Sequence, residues 1–219
     1  MKYVAFLDDD DAWHPDKLMK QLDYIKKEEC VLVSCNCTKI VLNANGKEIN
    51  RVNENRFHAE VITLQDILNK NVIGGCSFPL MRRDVFNRAG RFRVGLPSSQ
   101  DYDLWIRIAQ QGKIGFISES LLDYYISRFE RITNNVDGKI KSYTMLINEY
   151  ADLATNKKLY IARKYITLAN ICFHFGHFGK GLQFNHKAIC CKADLEIING
   201  YLKNIILGIT RVFRIGLGK

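Results

Sequence analysis

A chain of 219 residues, 47% hydrophobic and 25% charged, carries enough apolar side chains for one ordinary domain with an appendage or for two small domains, which excludes a disordered chain. Its net charge of +9 belongs to the back: residues 139–219 hold 13 basic and 4 acidic groups, residues 1–138 hold 19 of each. No nucleic-acid-binding motif accompanies that basic end, so an anionic membrane surface explains it at least as well, and no nucleic-acid partner is expected.

Tyr3–Leu7 is a short apolar run cut off by Asp8, Asp9, Asp10 and Asp11, the pattern of a buried strand ending at a polar edge. A helix opens at Pro15 or Asp16, with Leu18, Leu22 and Ile25 at helical spacing. Val31–Ser34 and Lys39–Leu42 read as two strands, and Asn45-Gly46 as the turn of a hairpin whose second strand is Lys47–Val52. Thr63, followed three residues later by Asp66, predicts a helix start with Leu64, Ile67 and Leu68 turned inward. Gly74-Gly75 breaks the chain before a strand at Phe78–Met81, and a brief helix over Asp84–Ala89 stops at Gly90. A helix from about Asp101 to Gln111 ends at Gly112, and Lys113–Ile117 and Leu122–Ile126 complete the front as strands.

Beyond about Ile140 the pattern is helical only, which places a boundary near residue 135. Gly176, Gly181 and Ala188, with Phe178 and Phe184, fit one tetratricopeptide-like helix hairpin, which must bury its face on another element, another chain or a membrane. Residues 195–215, with Lys203, Arg211 and Arg214, suit an interfacial helix or a core-packing one equally. The longest apolar stretches fall short of the roughly 20 residues that span a bilayer. Seven cysteines, with Cys35 and Cys37 one residue apart and Cys190 beside Cys191, fit neither a disulfide framework nor a zinc site and are read as free thiols.

Four adjacent carboxylates repel one another, so Asp8 to Asp11 need solvation or a cation; a solvated loop capping the next helix and a magnesium or manganese site both satisfy the pattern. The wider segment FLDDDDAWHPDKLMKQL, residues 6–22, resembles the LDxDDxWxPxKLxxQ segment of family 2 glycosyltransferases, which have the GT-A fold. That resemblance implies that Asp8 and Asp10 are the ends of a DxD motif and hold the metal. Asp8, Asp9 and Asp10 would face the nucleotide sugar, and Trp13 and Pro15 would be supports.

SSQDYDLWIRIAQQGKIGF, residues 98–116, is on its own an acidic helix start docked through Leu104, Trp105, Ile106 and Ile108. It is similar to the family's ED motif followed by YDLWxRxxxxG, which implies that Asp101 is the general base. Gln100 replaces the glutamate there, and Asp103 is structural, capping the helix or supporting Arg107. Residues 74–92 resemble the acceptor-side RRxxFxxxGGF stretch, which puts Gly75, Ser77 and Gln100 on the acceptor side, although a turn alone also explains the glycines. Arg91 stands where the family often has a second glycine. Residues 120–133 resemble the segment that closes over the donor, which implies diphosphate contacts from Arg128 and Arg131.

The resemblance covers about residues 1–133, so residues 1–135 are expected to form a GT-A type mixed α/β domain and 136–219 an all-helical tail. Family members have further strands before the DxD strand. The expectation is therefore an N-terminally truncated domain, lacking its first nucleotide-binding strands and left with an exposed sheet edge. The implied activity is inverting transfer from a UDP-, GDP- or dTDP-sugar to a hydroxyl of a glycan or lipid-linked acceptor, in surface polysaccharide assembly. Its expected place is the cytoplasm or the inner face of the membrane, with the tail making membrane or protein contacts. A truncated, non-catalytic binding module is the alternative, and a metal-dependent phosphotransferase or hydrolase built on the aspartates the other.

Overall fold

The computed structural model describes residues 2–126 and 135–216. Two long strands form its spine: β3, Leu32–Leu42, and β7, Ile114–Ile126, which pair in parallel from Leu32 opposite Ile114 to Val41 opposite Ile126. Each was expected as two short strands with a gap between. The gaps are polar rather than broken: Asn36 Nδ2 donates to the Ser118 carbonyl at 2.6 Å, and the Thr38 and Ser120 hydroxyls are 2.9 Å apart. Backbone pairing carries the strands through residues whose apolar period lapses, and register shifts at Cys35/Asn36 and Asn36/Thr38 absorb the mismatch.

The remaining strands are β1 (Tyr3–Ala5), β2 (Asp11–Trp13), β4 (Glu48–Glu54), β5 (Val61–Ile62) and β6 (Leu80–Arg82). Among the described residues the order is β1-β6-β3-β7-β2, with β4 beside β3 and β5 beside β7. Every pairing except β3 with β7 is antiparallel. β1 lies at one end of that order and is shorter than its apolar run, since Phe6 and Leu7 lie beyond it. β2 was not expected, because three residues reading Asp-Ala-Trp carry no strand period; its partners Leu122, Asp123 and Tyr124 of β7 define it.

Helices α1 (Lys17–Glu28) and α3 (Arg83–Arg88) pack against strands of this sheet, and α2 (Leu64–Asn69) packs on α4 (Gln100–Ala109). α4 buries Leu104, Trp105, Ile106 and Ile108 completely, as its pattern demanded. α1 buries Lys17, Gln21 and Ile25. Lys17 Nζ lies 4.4 Å from the centroid of the Trp13 ring and donates to Gln21 Oε1 at 2.7 Å, while Gln21 Nε2 donates to the carbonyls of Phe78 and Val33. The amphipathic residues thus close a buried polar chain that ties α1 to β3 and to the loop after Gly74. Thr63 and Asp66 form a full capping box on α2.

The chain clusters into two units, one of Met1–Gly95 with Gln100–Glu130, the other of Leu96–Ser99 with Arg131–Lys219. The second contains α5 (Val136–Tyr150), a 3-10 turn at Ala151–Leu153, α6 (Lys157–His174), α7 (Phe178–Cys191) and α8 (Leu195–Gly216). α6 and α7 form a hairpin through Gly176, whose φ of +81° is a left-handed turn. Phe173 explains the small residues there: a Cβ added at Gly181 or Gly208 would come within 2.9 Å or 2.8 Å of its ring. All seven cysteines are free thiols.

Replacing Thr63 by Ala removes half of the capping box and is expected to lower stability by about 1 kcal/mol in urea denaturation; an unchanged midpoint would show that the box does not hold in solution.

Candidate active site

The chain leaves β1 at Ala5 and re-enters the sheet at Asp11, so the aspartates occupy a tight turn closed by the Asp11 N–H donating to the Asp8 carbonyl at 3.2 Å. Asp8, Asp9 and Asp10 are exposed and Asp11 is half-buried. Carboxylate oxygens of Asp8, Asp10 and Asp11 lie within 4.8 Å of one another, the spacing of a cation site. Asp9 stands outside that triplet. The sequence pattern named the two ends of the motif, Asp8 and Asp10; the third member, Asp11, comes from the β2 pairing, which turns its side chain back toward the turn.

Asp11 Oδ1 accepts from the Tyr125 N–H at 3.3 Å, while Oδ2 is buried with no hydrogen-bond partner. Burial, with the Asp10 charge adding, pushes the Asp11 carboxyl up to about 6. Asp8 is raised as well, by desolvation first and by Asp10 second. An orphaned buried oxygen beside two further carboxylates is a donor set suited to a hard divalent cation, so these residues fit magnesium or manganese.

Gly75 and Ser77, expected on the acceptor side, lie directly beside this turn. The Asp8 N–H donates to Ser77 Oγ at 3.0 Å, and Trp13 Nε1 donates to the Ser77 carbonyl at 2.8 Å. A Cβ on Gly75 would face Asp8 Oδ2 at 4.0 Å. Gly74 has a φ of +105° and sits against Phe78 so closely that a Cβ would come within 2.7 Å of that ring.

The same loop reaches the second acidic position. Trp105 Nε1 in α4 donates to the Gly74 carbonyl at 2.9 Å, fixing the helix that begins at Gln100 and carries Asp101 in its first turn. Ser99, just before it, holds a left-handed φ of +57°, a strained entry for a non-glycine residue. Asp101 Oδ1 accepts from the Tyr102 N–H at 2.7 Å, and burial pushes the carboxyl up to about 6. Cys76 lies between the two acidic positions: its thiol is pushed up to about 12 by burial and further by the charges of Asp101 and Asp8. Gln100 is half-buried one residue before Asp101.

Asp103, read as structural, is fully buried and holds Arg107 Nη2 at 2.6 Å, with Arg93 at 3.3 Å. Arg107 in turn donates to the carbonyls of Ala89 and, at 2.8 Å, Arg91. Arg91 has a φ of +58°, which explains why a glycine suits that position and why the departure is tolerated rather than free. Arg128 and Arg131 lie outside the described residues.

Arg56 belongs to this site and was missed. Its guanidinium lies 4.7 Å from the centroid of the Phe78 ring, Nη2 donates to the Asn71 carbonyl at 3.2 Å, and Nε is buried without a partner. Its charge reaches Asp101 and opposes the rise in that carboxyl. An isolated arginine between β4 and β5 carries no sequence signal; only the fold brings it to the loop.

Likeness to known proteins bears on this arrangement. Residues 1–90 match the model of glycosyl transferase family 2. The chain is 29% identical over 137 residues to a putative teichuronic acid biosynthesis glycosyltransferase, TuaG, of Bacillus subtilis, covering 61% of this chain and 48% of that protein. It is 24% identical over 210 residues to an uncharacterized glycosyltransferase of Rickettsia prowazekii, covering 94% of this chain and 64% of that one. Among solved structures, S. aureus TarS 1–349 in complex with UDP-GlcNAc superposes with a TM-score of 0.50 at 14% identity, covering 93% of this chain and 55% of that one. The chain therefore spans about half the length of TuaG and of that TarS structure. The mixed sheet with its following helices is a GT-A type fold.

Asp11→Asn removes a buried charge and is expected to raise the metal-free protein's stability by about 1 kcal/mol, less than the full shift because the site is partly solvated. Because the folded-state carboxyl is raised above its unfolded value, the contribution of Asp11 to stability is fully present below about pH 4 and is lost as pH rises through about 6. The same variant should lose the thermal stabilisation that manganese gives the wild type. A destabilised Asp11→Asn, or one still stabilised by manganese, would contradict the assignment.

Proposed function

From the glycosyl transferase family 2 sequence carried by residues 1–90, we propose that this chain is the acceptor-side catalytic part of a metal-dependent, inverting glycosyltransferase. It would move a sugar from a nucleoside-diphosphate sugar to a hydroxyl of a surface glycan or lipid-linked acceptor, at the inner face of the cell membrane. The observation that carries the reading is the 74–78 loop, which holds the Asp8–Asp10–Asp11 triplet on one side and the Asp101 helix on the other. Relatives named for teichuronic acid synthesis and for a UDP-GlcNAc complex make a UDP-sugar the first donor to test.

Asp8, Asp10 and Asp11 would hold the cation, whose contribution is to offset charge growing on the departing diphosphate. Asp101 would accept the proton of the acceptor hydroxyl as its oxygen attacks the anomeric carbon. One C–O bond forms to the acceptor and one breaks to the diphosphate, on the opposite face, so the anomeric configuration inverts. Asp101 is suited to this because its carboxyl is ionised near neutral pH yet remains a stronger base than an ordinary aspartate. Arg56 limits how far that basicity rises, Ser77 anchors the start of the aspartate turn through the Asp8 N–H, and Gly75 would leave room beside Asp8 for the acceptor.

Calorimetry of the chain with UDP and manganese should show metal-dependent binding that Asp10→Ala abolishes. Asp101→Asn should leave that binding intact while lowering sugar transfer by about 10²- to 10⁴-fold. Transfer by the wild type should climb as pH rises through about 6, where Asp101 ionises. UDP binding that ignores manganese, or Asp101→Asn transferring at the wild-type rate, would sink the roles given to those residues.

A further inference from the structure

Helix α8 is apolar on two faces. One face is built in: Ile197 is buried with Ala162 and Ala188, Asn204 donates to the Ile166 carbonyl at 3.1 Å, and Gly208 lies under the Phe173 ring. The other looks outward. Leu195, Ile198, Leu202, Ile206 and Ile209 are 79%, 38%, 52%, 60% and 50% exposed, and they follow one another at intervals of three and four residues. At 100° per residue these five form one narrow stripe, and the buried positions fall well around the helix from it. A helix facing only water would carry polar side chains there.

We propose that this outward stripe of α8 seats in the interfacial layer of an anionic lipid bilayer, laying the helix flat on the membrane. Charge selects this occupant. The stripe sits in the part of the chain that holds 13 basic and 4 acidic residues, and exposed Lys203 lies beside it. A second copy seated on the same stripe would bring two such positive regions together, whereas an anionic headgroup layer neutralises them. Five aliphatic side chains supply the apolar contact and the cations supply the preference for anionic lipid. No described helix is long and apolar enough to cross a membrane, so the contact is interfacial rather than spanning.

The test uses the whole chain and needs no sugar transfer, so it stands apart from the catalytic reading. Cosedimentation with vesicles of mixed phosphatidylglycerol and phosphatidylcholine is expected to exceed that with phosphatidylcholine alone by roughly tenfold, and to weaken several-fold in high salt. The double variant Leu202→Asn with Ile206→Asn should lower binding by roughly tenfold. Both positions are exposed, so helix content by circular dichroism should not change. Lys203→Glu, which leaves the stripe intact, should reduce the anionic preference while keeping residual apolar binding. Absent binding, equal binding to neutral and anionic vesicles, or a double variant that binds like the wild type would overturn the proposal. So would a concentration-dependent dimer that the double variant abolishes, because the occupant would then be a second copy.

Discussion

Two donors converge on one serine, and the arrangement of the site follows from them. Ser77 accepts the Asp8 N–H on its hydroxyl and the Trp13 indole on its carbonyl, and is fully buried. The first bond pins the start of the aspartate turn and the second pins its end. Three residues upstream, the Gly74 carbonyl accepts from Trp105 and so fixes the helix of Asp101. One residue downstream, the Phe78 carbonyl accepts from Gln21, which Lys17 holds in place. A short loop thereby sets two acidic positions far apart in sequence at one distance, and both indoles serve as hydrogen-bond donors rather than as packing alone.

Around that loop the protein breaks the rule that buried polar groups find partners. Asp11 Oδ2 and Arg56 Nε are the buried side-chain atoms without a hydrogen bond among the described residues, and both face this region. The carboxyls of Asp11 and Asp101 rise to about 6 for the same reason, desolvation by the surrounding fold. The contrast with Asp103 is instructive. It is more deeply buried than either, yet two arginines satisfy it, and it holds the helix that presents Asp101. Carboxylates two residues apart on one helix thus divide into Asp103, paired with arginines, and Asp101, which accepts the Tyr102 N–H and keeps a raised carboxyl.

Much of this was legible in the residues because it rests on local periodicity. The apolar face of α4, the hairpin at Asn45-Gly46, the Thr63 cap and the change to helices near residue 135 all announce themselves within one or two turns of chain. The pieces that did not were settled by partners distant in sequence. β3 and β7 each read as two strands because polar Asn36, Thr38, Ser118 and Ser120 interrupt the pattern, though Asn36 donates to the Ser118 carbonyl and the Thr38 and Ser120 hydroxyls pair across the ladder. β2, and with it the third carboxylate of the triplet, exists only as a partner of β7. Arg56 reaches the site from a segment with no motif. Gly75 was visible as a turn and Ser77 only through the family resemblance, but their placement against Asp8 was not.

The strand-end aspartates are proposed to form a cation-binding centre that the 74–78 loop holds beside Asp101. Manganese titration followed by paramagnetic broadening of backbone amide signals tests it without reference to any substrate. The account predicts broadening centred on Asp8 to Asp11, extending to Gly75, Cys76 and Asp101, and absent in Asp11→Asn. Broadening confined to the exposed acidic turn, unchanged by that substitution and sparing the 74–78 loop and Asp101, would contradict it.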